Sequence, residues 1–300
     1  MGNRPQPGPS DALPPPVSPG GRPLVTLLTD FGTRDAFVGV MKGVILARCP
    51  QAALVDLTHE VPAFDILGAS FVLQSAVPFF PRGTVHLAVV DPGVGGPRRA
   101  LAARIAGQLF VAPDNGLLSY PLARGRLEAL HLISKEAYRL KPVSATFHGR
   151  DVFAPAAGYL AAGLEMERLG PAVEDPVRLP ILEPRVDAGG GLVGQVVWID
   201  GFGNCITNID RKAVEAMRSP SGRLQALLGV HRFPLVQYFD EASLDGEAAV
   251  FGSSGYLELF SRRDDLASRL AIRSGTNVTL LLEKAARSAA EDGDSPSKLP

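Results

Sequence analysis

The sequence predicts an α/β domain followed by a smaller, mostly β domain. Three observations carry that expectation. Buried strand-like runs alternate with helix-like segments through the first half of the chain. From about residue 183 the pattern changes to short strand-like runs between Gly-rich turns, with few helices. The polar clusters of the first half fall just past the ends of the expected strands, where ligands gather on parallel sheets.

Residues 1–22 are rich in Pro and Gly and hold almost nothing to bury, so a disordered tail is expected there. Leu24-Val25-Thr26-Leu27-Leu28 is a short apolar run that ends in Thr29-Asp30-Phe31-Gly32, a buried strand feeding a loop. Residues 35–48 carry apolar positions at helical spacing, with Asp35 near the start and Arg48 at the end, as the helix dipole prefers. Residues 53–57 read as a strand, 65–77 as a helix, and 84–90 as a strand ending at Asp91-Pro92-Gly93. Two short strands are expected near 100–105 and 108–112, and a helix over 151–162. Beyond Glu183, residues 193–200, 206–209, 248–251, 256–259 and 277–283 read as strands. The stretch from Ala286 is polar and is expected to fray. The expected layout is an N-terminal Rossmann-like α/β domain at 23–182 and a C-terminal β-barrel-like domain at 183–285. Disordered tails are expected at 1–22 and 286–300.

Composition narrows the function. Hydrophobic residues make up 46%, enough for a sizeable core. The formal net charge is −1, from 30 basic and 31 acidic residues, so no basic surface is expected for nucleic acid or an anionic membrane. No apolar run reaches the roughly 20 residues of a membrane span. The polar N-terminus lacks the apolar centre of a signal peptide. Cys49 and Cys205 are too few for a disulfide framework and are expected as free thiols. That usage suits a cytoplasmic location.

Five segments could carry chemistry. In Thr29-Asp30-Phe31-Gly32-Thr33-Arg34-Asp35, a strand-end Asp could accept both hydroxyls of a ribose, or simply cap a helix. Val90 to Arg99 forms a tight loop that sets Asp91 near two guanidiniums, Arg98 and Arg99. It lacks the GK[ST] of a phosphate loop. Phe147-His148-Gly149-Arg150-Asp151 offers an imidazole that could orient or deprotonate a water, although a lone His is more often a packing residue. The same caution covers His59, while His86 and His231 read as structural. Asp200-Gly201-Phe202-Gly203-Asn204 presents an aromatic face and an amide that could meet an adenine, or form an Asn-stabilised turn. Phe251 to Tyr256, with Ser253 and Ser254, could hold a carboxylate or be a hairpin turn. Asp30, Asp56, His59, Asp91, His148 and Asp151 lack metal-ligand spacing, so no metal site is expected. No GxGxxG follows the first strand, which argues against a dinucleotide oxidoreductase.

Taken in order, these segments resemble the S-adenosylmethionine (SAM) hydrolases, or hydroxide adenosyltransferases, relatives of the fluorinase and chlorinase. TDFG-T-D, DPGVGG-x-R, PDNGLL, FHGRD-x-F-AP, DGFGN-x-x-TN and GSSGY follow one another between about Leu24 and Glu283. The resemblance implies an α/β domain, a β domain and a homotrimer with active sites between neighbouring subunits. It implies an Asp-Arg-His triad at Asp91, Arg98 and His148 that handles the attacking water. Asp30 matches the ribose-binding acid, with Asp35 in the same motif and Phe64 at a wall position. Phe202 and Asn204 match the adenine side. Asp200, Ser253 and Ser254 match positions near the methionine amine and carboxylate. Halide-using relatives typically carry Tyr where Asp91 stands and Ser where Gly149 stands. They also tend to have Trp at the Phe64 position and Arg near Ser254.

The implied reaction is hydrolysis of SAM to adenosine and methionine, which needs neither a metal nor a redox cofactor. A halide adenosyltransferase and a non-catalytic SAM- or adenosine-binding protein are the alternatives.

Overall fold

The computed structural model describes residues 21–215 and 223–283. Apart from Gly21 and Arg22, the expected tails at 1–22 and 286–300 lie outside the described residues. The chain divides into two compact units with the boundary between Ile181 and Leu182.

The first unit is a six-stranded mixed sheet with helices. Its elements are β1 (Leu24–Thr29), α1 (Phe37–Leu46), β2 (Ala53–Thr58), α2 (Ile66–Ala76), β3 (Val85–Val89), β4 (Ala100–Ile105), β5 (Gln108–Pro113), α3 (Ser119–Arg124), β6 (Leu127–Leu132) and α4 (Ala154–Ala161). The strand order is β2-β1-β3-β5-β4-β6. Strands β1, β2, β3 and β5 run parallel, while β4 runs antiparallel to both β5 and β6.

Both faces of the central strands are buried, so β1 and β3 read as continuous apolar runs. Val25, Leu27, Val85, Leu87 and Val89 share one core with Met41 and Ile45 of α1 and with Ala156 and Leu160 of α4. In α1, Val38, Met41 and Ile45 recur at helical spacing and are buried. Gly158 lets α4 approach α1, because a Cβ there would sit 3.0 Å from Ile45 O. Helix α2 starts where the Asp65 carboxylate accepts from Gly68 N at 2.9 Å.

His86 is structural, as its place inside a strand suggests. It is fully buried, between Thr26 Oγ1 at 2.7 Å and Gln108 Oε1 at 2.9 Å. Burial pushes its ionisation down to about 4, so the ring stays neutral.

The second unit contains β7 (Arg185–Val186), β8 (Leu192–Ile199), β9 (Cys205–Asp210), α5 (Arg211–Glu215), β10 (Arg223–Leu228), β11 (His231–Pro234), β12 (Glu247–Phe251), β13 (Tyr256–Ser261), α6 (Leu266–Arg269) and β14 (Asn277–Glu283). The strands join in the order β11-β10-β14-β8-β9-β13-β12, with β7 on β8, and every pairing is antiparallel. A bridge between Leu235 and Ala249 nearly closes the sheet into a barrel. Leu192, Val196, Ile209, Phe233, Leu257, Leu259, Val278 and Leu280 fill its interior.

The sequence pattern overlooked four strands. β6 (LEALHL) and β10 (RLQALL) are composed of good helix formers, and sheet pairing overrides that preference. β7 is two residues long, and β11 ends in a proline. The helix expected at 35–48 is shorter, and the one expected at 151–162 begins as a π-helical turn over Gly149–Phe153. Among the described residues no helix is long and apolar enough to cross a membrane.

Candidate active site

Neighbouring parallel strands bring three loops together. Asp30 follows β1, His59 follows β2 and Asp91 follows β3, and these strands are adjacent in the sheet. Gly32 N donates to His59 O at 2.8 Å and Phe64 N donates to Asp30 Oδ2 at 3.1 Å, tying the first two loops together. Phe64 takes a left-handed backbone conformation (φ 69°), sparsely populated for an aromatic residue, and its side chain is exposed. His59 is buried between Thr29 Oγ1 at 2.9 Å and Asp56 Oδ1 at 3.0 Å, a strut between strand ends.

The loop after β3 and the segment before α4 build a charged cluster. Arg98 Nε donates to both oxygens of Asp91 at 2.9 Å, and Nη2 donates to Oδ2 and lies 2.7 Å from His148 Nδ1. The Asp91 and Arg98 side chains are 4% and 11% exposed, so this ion pair is largely withdrawn from water. Its neighbour Arg99 turns to Asp114 and Asp175 instead, and so anchors the loop after β5.

His148 stands at the start of the π-helical turn, an irregularity frequent at functional sites. Burial, then the Arg98 charge, holds its ionisation below the ordinary histidine value. An arginine can only donate, so His148 Nδ1 must accept. The neutral ring therefore carries its proton on Nε2.

In the second unit Asp200 Oδ1 accepts from Phe202 N and Asn204 N, both at 2.9 Å. Asp200 Oδ2 accepts from Asn204 Nδ2 at 2.9 Å. The Phe202 ring projects outward, 82% exposed. Ser253 and Ser254 are exposed in a turn closed by Gly252 N to Tyr256 O at 3.0 Å. The expected residues thus group as Asp30 with Phe64, as Asp91, Arg98 and His148, and as Asp200 with Phe202 and Asn204. Asp35 is exposed, and among the described residues no hydrogen bond or ion pair joins it to these groups. Cys49 and Cys205 are free and buried. Among the described residues no group of three or more His, Cys, Asp or Glu could hold a metal.

Residues 25–170 match the SAM hydroxide adenosyltransferase N-terminal domain, and residues 194–279 match the C-terminal domain of the same name. The chain belongs to the SAM hydroxide adenosyltransferase family. It is 40% identical over 266 residues to the (R)-S-adenosyl-L-methionine hydrolase of Thermus thermophilus, covering 86% of this chain and 99% of the relative. It is 31% identical over 292 residues to a fluorinase of Actinoplanes sp., covering 87% of this chain and 98% of the relative. A crystal structure of an uncharacterized conserved protein from Thermotoga maritima superposes with a TM-score of 0.80 at 33% identity. That match covers 85% of this chain and 99% of the other.

Three features of the site and its surroundings were not legible beforehand. Phe31, Phe37 and Phe147 form an edge-to-face trio, with centroids 5.2 to 6.2 Å apart, that joins the Asp30 loop to the His148 segment. Gly149 packs into that trio: a Cβ there would meet Met41 Sδ, Phe147 and Phe31 at 3.1 to 3.3 Å. Glu258, between inward-facing Leu257 and Leu259, is pushed up to about 7 by burial and then by Asp200. Alternation along the Tyr256–Ser261 run marks Glu258 as an outward position, but nothing local reports its proximity to Asp200.

Proposed function

We propose that this protein hydrolyses S-adenosyl-L-methionine to adenosine and L-methionine by in-line attack of one water at C5′. The observation that carries this reading is the partly buried Asp91–Arg98–His148 cluster beside the loop that holds Asp30. In the reaction the water oxygen bonds to C5′, the C5′–S bond breaks, and its electron pair restores a neutral thioether. The leaving group needs no proton. The enzyme's task is to align the water and accept its proton. Alignment supplies on the order of 7–11 kcal/mol in favourable cases.

The roles follow from donor and acceptor chemistry. His148 Nε2–H donates to the water and holds it. Asp91 is the anionic acceptor and takes the proton as the O–C5′ bond forms. Arg98 fixes both partners, since its guanidinium bonds the carboxylate and the imidazole together. A carboxylate also repels a halide, which favours water over the chemistry named for the fluorinase relatives. Asp30 would hold the ribose hydroxyls, with Asp35 and Phe64 at its rim. Asp200, Phe202, Asn204, Ser253 and Ser254 would serve the adenine and methionine ends.

A homotrimer with active sites shared between neighbouring subunits accords with the exposure of two aromatic residues in ligand loops, Phe64 (67%) and Phe202 (82%). The Rossmann-like character of the first unit rests on the parallel ends of β2, β1 and β3 facing one ligand edge. A cytoplasmic location accords with two reduced, buried thiols.

Chromatography of SAM incubated with the purified protein, with and without chloride, tests the reading. Adenosine and methionine formed regardless of chloride are expected. Chlorodeoxyadenosine, or bound but unconverted SAM, would overturn it.

A further inference from the structure

Behind the Arg98–His148 contact lies a cavity of ≈ 280 Å³ whose lining includes Arg98, Ile133, Ser134, Arg139, Val143 and His148. Arg139 follows the short 3₁₀ turn Glu136–Tyr138. Its Nη2 donates to Ile133 O, and its Nε is buried without an acceptor.

The charge balance around it is unusual. Arg98 is paired with Asp91, Arg99 with Asp114 and Asp175, and Arg150 with Asp151. Glu136, whose field reaches Arg139, is bonded to Lys141 at 2.7 Å. Among the described residues no carboxylate forms an ion pair with Arg139. A partly buried cation without a counter-ion costs stability, and here it stands on the wall of the proposed active site.

We propose that Arg139 is a positioning residue for the hydrolysis, an unpaired cation on the cavity wall it shares with Arg98 and His148 that helps His148 Nδ1 go on accepting from Arg98. This rests on the hydrolase reading above. The groups that act on His148 are Arg98 and Asp91 from the loop after β3, Arg139 from the segment after the 3₁₀ turn, and Asp151 from its own turn. Burial most of all, then Arg98 and, behind both, Arg139 disfavour a second ring proton, while Asp91 and Asp151 favour one. Both carboxylates are otherwise committed: Asp91 to Arg98, Asp151 to Arg150 and Ser144 N. A ring protonated on both nitrogens would turn an N–H toward the Arg98 guanidinium. Two donors would then face each other, and the bidentate hold on Asp91 would be disturbed. Arg139 opposes that state without touching Asp91.

Arg139→Gln keeps a donor for Ile133 O and removes the charge, whereas Arg139→Lys keeps both. The test is a histidine NMR titration of the full chain alongside the pH profile of kcat/KM. In R139Q the His148 midpoint should rise and the acid limb of kcat/KM should move to higher pH, with KM on the alkaline side unchanged. R139K should follow the wild type in both. Should R139Q not fold, Arg139→Met offers the same charge removal at similar bulk. A His148 midpoint unmoved in the uncharged variant overturns the inference. The titration needs no turnover, so an inactive wild type would sink the hydrolase reading and leave the Arg139 effect separately decided.

Discussion

The two units build their polar loops in opposite ways. In the first, Arg98 reaches an imidazole 50 residues further along the chain, and the pairing exists because strand ends and a helix start are packed together. In the second, Asp200 closes on Phe202 and Asn204, two and four residues away. A loop that satisfies itself holds its shape with little help from the rest of its unit. A cluster of distant charges depends on the core beneath it, and in return groups are brought together that no local turn could gather. The division fits the proposed roles, with chemistry in the first unit and holding of the substrate's ends in the second.

The largest expected effect tests the long-range cluster. Asp91→Asn should lower turnover by about 10²–10⁴-fold while SAM affinity is retained, as read by single-turnover kinetics and calorimetry. Affinity lost in step with turnover would break the assignment, because the cluster would then be holding substrate.

A smaller effect tests His86, a histidine buried inside the sheet of the first unit. His86→Phe strands Thr26 Oγ1 and Gln108 Oε1 inside the sheet and should cost about 1–3 kcal/mol for each unsatisfied group, measured by urea unfolding. The wild type should also lose stability as pH falls from about 6.5 to about 4. In that window the unfolded chain binds a proton at His86 that the folded chain does not. His86→Phe should flatten that slope, and an unchanged slope would show that the acid sensitivity arises elsewhere.

Asp200→Ala probes the self-closed loop. It removes the acceptor of three hydrogen bonds and should destabilise the second unit by about 1–2 kcal/mol. KM for SAM should rise and kcat should change little. A fall in kcat alone would contradict the division of labour.

A further effect has the opposite pH sense to that of His86. Glu258 is raised in the folded state from 4.5 to about 7, so its contribution is fully present below about pH 4.5 and is lost as pH rises through about 7. Glu258→Gln should remove that alkaline-going loss, as followed by thermal unfolding between pH 5 and pH 8. Parallel slopes in variant and wild type would show that Glu258 does not titrate there.

Much of the architecture was legible from periodicity. β1, β2 and β3 are short apolar runs that end in polar loops, and burial of both faces forces that pattern. The second unit's turn-separated strands were legible for a similar reason. β6 and β10 were hidden because pairing partners, rather than composition, made them strands. Within the site, the order and spacing of the motifs singled out Asp30, Asp91, His148 and the Asp200 loop, since turn chemistry is written locally in Gly, Pro, Asp and Asn.

By itself the sequence determined which loops carry polar groups, and its motif order pointed to a family. The tertiary structure alone decided which polar groups meet. Arg98 and Arg99 are adjacent and chemically identical, yet one faces Asp91 and His148 while the other turns to Asp114 and Asp175. Arg139 carries no local mark at all. Periodicity reports which residues are buried, because water acts on each residue separately. The partner of a charge is set by where distant segments come to rest, and that depends on the packed core as a whole.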